Sequence, residues 1–405
     1  MIWLRITWHY LKTHRFEVFL VLLSLVYFLF LYVTDPRRPG LLGVLGWLSY
    51  SDQHTYTVQA IKTAHLQLRD HYAYGPVYPL ITVPFILVGL GASKGFLAFD
   101  AFAFAFVIWA VYKFMASITN QRLGAVTALA LMFATPLADY TVIPWNSSVT
   151  LLSLGIVLYV ASLRSKAAYR FPIVLLALAT ALAFGSRYID AAWIFVLSAT
   201  ILMVWSGYKK TLIMAMLAFV FCLPVFWSNY VFFGSVLKTP YTLHIPPAGS
   251  NSLTSDQDIG AYSLRRIPNA AYGMLVSPAL AGAKDDASRG LLVNAFWFVF
   301  ALALPFSLVG FDRRDKIFLL ALLGISLLQI LFYLSFRGSG PGAVKFGTLH
   351  YFKTFWPALA ICATVSLSRL FDRLSTSDGR GSRRAPNNKL AGQKINKQSQ
   401  SRAGH

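Results

Sequence analysis

Eighteen consecutive residues, Phe16–Val33, carry a single charge, Glu17, at one edge of an otherwise apolar run. At 1.5 Å per residue such a run forms a helix of about 27 Å, close to the roughly 30 Å hydrocarbon thickness of a bilayer. The sequence that follows, TDPRRPG, offers no small-residue cleavage site, so the run reads as an uncleaved membrane helix rather than a signal peptide. Nine further apolar runs repeat the pattern: 96–112, 123–137, 149–163, 171–184, 191–205, 212–227, 291–309, 317–334 and 352–367. Only 13% of the chain is charged, against roughly a quarter in soluble domains, which excludes a water-soluble globule. The expectation is an all-α polytopic membrane protein with about ten transmembrane helices and external juxtamembrane helices.

One more apolar run, 77–90, is short and carries Pro79 and Pro84. Loop charges decide its placement. If it does not cross, Arg5, Lys12 and Arg15, Lys113 and Arg122, Arg164, Lys166 and Arg170, Lys209 and Lys210, and Arg313, Arg314 and Lys316 all fall on one side. The positive-inside rule makes that side cytoplasmic. The run then lies in the outer interface or re-enters. The resulting domain 1–370 has a first external loop over about 35–95 and a long external loop over about 228–290.

The net charge of +21 gathers partly in a polar tail, 371–405, whose composition predicts disorder. A basic tail beside a membrane meets anionic lipid head groups. Its charges are not interleaved with aromatic residues, so nucleic acid is not an expected partner. Cys222 and Cys362 sit inside apolar runs without zinc or disulfide spacing.

The densest polar chemistry follows the first crossing, in YSDQHTYTVQAIKTAHLQLRDHYAYGPVYPL. Ser51 or Asp52 suits a helix start, and Tyr56, Ile61, Ala64 and Leu68 recur at near-helical spacing. They predict an amphipathic helix lying on the membrane, ended by the proline-restricted YGPVYP. His54, His65 and His71 do not fall at metal-ligand spacing.

This loop, with its early acid and closing YGPVYPL, resembles the first external loop of GT-C glycosyltransferases, polytopic enzymes that take sugars from polyprenyl-phosphate carriers. The resemblance continues in order through ATPLADYTVIPWNSS, LATALAFGSRYIDAAW, LPVFWSNYVFFGSVLKTPY, SRGLLVNAFWFVFAL and GAVKFGTLHYFKTFWPALAI. The third of these is the most specific match, and the branch most similar contains protein O-mannosyltransferases and aminoarabinose transferases. The chain departs from the family pattern where Asp52 is followed by Gln53, where Asn146 and Ser147 stand at a position often acidic or histidine, and where His350 replaces an arginine. The soluble external domain of larger members is not expected here.

The resemblance implies a hexosyl- or pentosyltransferase in which Asp52 is the catalytic base, with Asp139 and Asp190 as alternative acids. Arg187, Lys238, His350 and Lys353 are the candidate donor-phosphate ligands. His54, Tyr74, Tyr78, Trp145, Asn146 and Tyr241 are candidate substrate contacts, the aromatic ones by stacking on a sugar. A phosphate-linked sugar already has a good leaving group, so one base with fixed cations suffices, unlike the paired carboxylates of most glycoside hydrolases. No cofactor is expected, and too few carboxylates converge for a hard cation. The expected setting is a bacterial cytoplasmic membrane with the site facing the exterior, the acceptor being open. Two alternatives stand beside it: a lipid-linked-sugar flippase or transporter, and an inactive carrier-binding relative.

Overall fold

The computed structural model describes residues 14–35, 38, 51–67, 75–164, 170–236, 264–275, 295–335 and 352–377. It divides into two units, Met1–Leu367 and Ser368–His405. The described residues contain helices and no strand. In chain order the helices are α1 (Arg15–Thr34), α2 (Ser51–Ala64), α3 (Val77–Leu87), α4 (Ala92–Ile118), α5 (Gln121–Phe133), α6 (Leu137–Val142), α7 (Ser147–Ser162), α8 (Arg170–Ser186), α9 (Tyr188–Trp205) and α10 (Tyr208–Phe233). They continue with α11 (Ile267–Leu275), a 3₁₀ segment Phe296–Ala303 running into α12 (Leu304–Ser307), α13 (Arg313–Leu334) and α14 (Phe355–Ser377).

Among the described residues, five helices are long and apolar enough to cross a membrane: α1, α4, α9, α10 through Val231, and α13. Five shorter apolar helical segments accompany them: α3, α5, α7, α8 and Phe296–Ser307. Burial orders the bundle. The most apolar window of α4 is 72% buried, whereas that of α1 is 17% and that of α10 is 22%. So α4 packs at the centre against α1, α5 and α7, while α1 and α10 turn Phe19, Leu22, Val26, Phe219 and Val220 outward. In water those side chains would be a liability; against lipid they are the expected surface.

An ion pair fixes the directions of the first helices. Glu17, at the start of α1, accepts from Lys113 Nζ at 3.0 Å and from Trp109 Nε1 at 2.9 Å, both near the end of α4. Thus α1 and α4 run antiparallel, and the chain between them returns to the end it left. The segment 77–90 therefore does not cross the bundle. Its helix α3 has eleven residues, about 16 Å at 1.5 Å per residue, and packs against α2 and α4. At the same far end, Arg164 after α7 meets Asp315 at the start of α13, at 3.1 Å.

Three sequence expectations shift. The run 123–137 is two elements, because Asn120 caps α5 and Pro136 opens the separate α6. The run 291–309 is helical from Phe296, while 291–294 lie outside the described residues. The buried face of α2 carries Gln53, Tyr56, Gln59 and Ala60, whereas Ile61 is 43% exposed. Its inward face is part polar because it meets the peptide before α7, where Gln53 Nε2 donates to the Pro144 carbonyl at 2.9 Å. In the second unit, Ser368–Ser377 complete α14, and Arg369 stands 3.7 Å from Asp372. Helix therefore extends past the 370/371 boundary expected from composition. The remainder of the basic tail lies outside the described residues.

One close approach holds the first loop to the bundle. A Cβ placed on Gly75 would come within 2.7 Å of the Ser186 carbonyl and closer still to that of Gly185. Backbone cannot yield as a side chain can. Gly75→Ala is expected to destabilise the protein by about 1–3 kcal/mol through overpacking. Gly324→Ala is the control: its Cβ meets nothing within 4 Å inside α13. That change should be neutral or stabilising by up to about 1 kcal/mol. Thermal midpoints of the two purified variants decide it, and a Gly75→Ala midpoint equal to the parent's would remove the constraint.

Candidate functional site at the polar end of the bundle

The corner between α8 and α9 is a single residue, Arg187. Its backbone is extended, with φ −147° and ψ 102°. Its N–H still donates to Ala183 O at 2.7 Å, and its carbonyl accepts from Ala191 N at 3.2 Å. With both backbone groups used by the flanking helices, the side chain has a fixed origin. It runs inward, and the residue is 6% exposed. Its Nε lies 3.4 Å from Asp190 Oδ2, and its guanidinium carbon lies 5.1 Å from the centre of the Tyr333 ring.

Asp190, in the first turn of α9, is wholly buried and well supplied with donors. Its Oδ1 accepts from Tyr333 Oη at 2.5 Å and from Gln329 Nε2 at 3.0 Å. Gln329 Nε2 is also 3.0 Å from the Thr354 hydroxyl just before α14. Spacing explains this reach: Gln329 and Tyr333 are four residues apart on α13, so both face Asp190. The cavity beneath, bounded by Thr150, Asp190, Trp193 and Thr354, holds only about 10 Å³. That is room for at most about one water and not for a sugar.

The start of α7 is locked to the end of α8. Ser186 Oγ donates to Asn146 O at 2.6 Å, and Asn146 Nδ2 donates to Ser186 O at 3.2 Å. Two residues on, Ser148 Oγ accepts from Lys353 Nζ at 3.2 Å, and Lys353 is 0% exposed. Asp100, an electrostatic neighbour of Ser148 and Lys353, takes the Tyr78 hydroxyl at 2.8 Å. Asp100 is 1% exposed and lies in the first third of α4. Lys353 and Arg187 are within electrostatic reach of each other.

The starts of α7, α9 and α14 thus meet at one end, together with two buried cations. Each helix start presents unpaired N–H groups and the positive end of the helix dipole. An anion suits that field.

Beside the cluster runs an apolar groove of about 510 Å³, lined among others by Val77, Leu80, Leu182, Phe221 and Val225. It lies between α3, α8 and α10, one turn from Ser186 on α8.

Of the residues expected from sequence, the structure gathers Tyr78, Trp145, Asn146, Arg187, Asp190 and Lys353 at this end. Tyr78 corrects its expected role. Its ring is enclosed by Tyr56, Phe96 and Phe99, leaving no face for a sugar; what it offers is its hydroxyl. Asp52, in the first turn of α2, is half-buried, next to the Gln53 that ties this helix to Pro144. His54 is exposed. Asp139, on α6, is also exposed and within electrostatic reach of Tyr27 on α1. Tyr74, Lys238, Tyr241 and His350 lie outside the described residues. Among the described residues, no three His, Cys, Asp or Glu side chains converge.

Sequence reasoning left out Asp100, Ser148, Ser186, Gln329 and Tyr333. Asp100 had a signal, an acid inside an apolar run. Gln329 and Tyr333 had only their spacing.

No protein-family model matches the chain, and no curated protein matches it in sequence. Two solved structures do match in shape. The apo oligosaccharyltransferase of Archaeoglobus fulgidus superposes with a TM-score of 0.51 at 13% identity, covering 90% of this chain and 52% of that one. The oligosaccharyltransferase AglB of the same organism, in complex with an inhibitory peptide and a dolichol-phosphate, gives 0.50 at 11% identity, covering 93% and 53%.

The fold is GT-C-like.

This chain spans about half the length of either structure. At such identities the likeness is one of architecture: a helical membrane bundle of the kind found in membrane glycosyltransferases.

Proposed function

We propose that this protein transfers a sugar from a polyprenyl-phosphate carrier, undecaprenyl or dolichyl, to an acceptor on the extracytoplasmic side. The observation that supports it is the meeting of three helix starts and two buried cations, Arg187 and Lys353, beside an apolar groove. A phosphate attached to an isoprenoid chain has both chemistries, anionic head and apolar tail. The fold's resemblance to an oligosaccharyltransferase solved in complex with an inhibitory peptide and a dolichol-phosphate agrees with that pairing.

In the proposed step an acceptor hydroxyl oxygen attacks the anomeric carbon as the bond from that carbon to the phosphate oxygen breaks. The bonding pair leaves with the polyprenyl phosphate, and the hydroxyl proton passes to Asp52. A single displacement inverts the anomeric centre. The largest change in charge is at the departing phosphate, where fixed cations in a water-poor site act most strongly. Trp145 and Asn146 border the acceptor side, and the basic tail rests on anionic head groups.

A specific observation favours the transporter as second reading: Asp100 and Lys353 are ionisable groups buried in the bundle, a feature of transport paths. The described charges, however, gather at the two ends rather than along the length. The deciding experiment supplies purified protein in proteoliposomes with radiolabelled polyprenyl-phosphate sugars and a cell-envelope extract as acceptor. Label moving from the lipid phase to extract glycans supports transfer. Translocated but chemically unchanged lipid would overturn it in favour of transport.

A further inference from the structure

Asp100 is the acid for which sugar transfer has no use. It is enclosed in α4, its Oδ2 takes the Tyr78 hydroxyl, its Oδ1 has no hydrogen-bond partner, and Ser148 at the start of α7 is its electrostatic neighbour. The same Ser148 oxygen accepts from Lys353 Nζ at 3.2 Å. A serine hydroxyl has one proton and two lone pairs, so it can donate to a carboxylate and accept from an ammonium at once. The order Tyr78, Asp100, Ser148, Lys353 is therefore chemically consistent from end to end.

Lys353 needs such support. It is wholly buried, where the charge of Asp100 supports it and that of Arg187 opposes it. An ammonium removed from water beside a second cation is costly unless a carboxylate accompanies it. Asp190 is already engaged by Arg187, Gln329 and Tyr333, which leaves Asp100 for Lys353. With Asp100 opposite Lys353 and Asp190 opposite Arg187, the cluster is neutral before any anion arrives.

We propose that Asp100, acting through Ser148, is the positioning residue of Lys353, holding its ammonium at the floor of the site where the carrier phosphate sits. This assignment rests on the transfer function proposed above and adds two residues to it. Asp100 touches no substrate. It acts by fixing the one cation that helix geometry alone does not hold, since Lys353 has a long flexible stem whereas Arg187 is anchored by backbone on both sides.

The test uses the full chain in nanodiscs, with undecaprenyl phosphate as probe and dolichyl phosphate in parallel. Asp100→Asn keeps the shape and one oxygen acceptor, removes the charge and turns the second acceptor into an N–H donor. Binding should weaken by about ten- to a hundred-fold, the weight of one charge-assisted contact, and Ser148→Ala should weaken it less. If Asp100 merely screened Lys353, its removal would tighten binding; tighter or unchanged binding in Asp100→Asn overturns the proposal.

A double-mutant cycle separates positioning from a structural role. In a Lys353→Met background, Asp100→Asn should have no further effect on binding, and the double variant should recover thermal midpoint relative to either single one. Additive losses in binding would sink the coupling. Should Lys353→Met itself bind the probe like the parent, the phosphate assignment of Lys353 fails instead. Weakened binding in Lys353→Met with parental binding in Asp100→Asn rejects only the role of Asp100.

Discussion

Asp52→Asn is expected to leave the protein folded and to lower sugar transfer by about 10²–10⁴-fold, the usual weight of a general base. The amide keeps the volume of the acid and accepts hydrogen bonds at a helix start nearly as well, but it cannot take up a proton. Asp52 is in the first turn of α2 and half-buried. Its neighbour Gln53 fixes that turn against Pro144, so the acid stands beside the peptide that carries Trp145 and Asn146.

The other described carboxylates at this end are worse placed for a base. Asp35, Asp100 and Asp190 are buried, and Asp190 receives Gln329, Tyr333 and Arg187 together. Asp139 is exposed on α6, toward Tyr27 of α1. A purely structural Asp52 makes the opposite forecast: normal transfer in Asp52→Asn, with a lowered thermal midpoint in Asp52→Ala. Transfer from labelled donor and the midpoint of each variant tell them apart, and ordinary turnover in the asparagine variant excludes Asp52 as base.

The fold was legible in the sequence where the physics is additive. Apolar runs report burial residue by residue, so the helices emerge close to their expected places, and the run 77–90, expected from loop charge not to cross, contains the short α3 beside α2 and α4. Helix ends were less legible, because single residues such as Asn120 and Pro136 set them. The site was legible only in part. Arg187, beside Asp190 at a helix junction, could be found because both partners are near in sequence. Lys353 and Ser148 are 205 residues apart, and Gln329 and Asp190 are 139 apart. Nothing local distinguishes a Gln that reaches a distant Asp from one that faces a neighbouring helix. The face of α2 was misplaced for a related reason. Hydrophobic spacing assumes an apolar partner, whereas α2 meets a carbonyl through Gln53.

Arg187→Lys is expected to keep the fold and still lose transfer by about ten- to a hundred-fold, one charge-assisted hydrogen bond's worth of binding to a phosphate. Lysine retains the positive charge beside Asp190 but not the planar fork, and it cannot lie flat against the Tyr333 ring at 5.1 Å. Arg187→Ala should do more harm. It leaves Asp190 buried with only Gln329 and Tyr333 as donors, and breaking one side of a buried ion pair commonly costs about 3–5 kcal/mol. The alanine variant therefore mixes folding with function, and the lysine variant is the informative one. If Arg187 serves only its pair with Asp190, lysine should transfer like the parent, and Arg187→Met combined with Asp190→Asn should be active as well. If Arg187 holds the carrier phosphate, that double variant regains its thermal midpoint and stays inactive. The two outcomes differ in rate at equal stability, so the measured ratio assigns the arginine either to the bundle or to the donor.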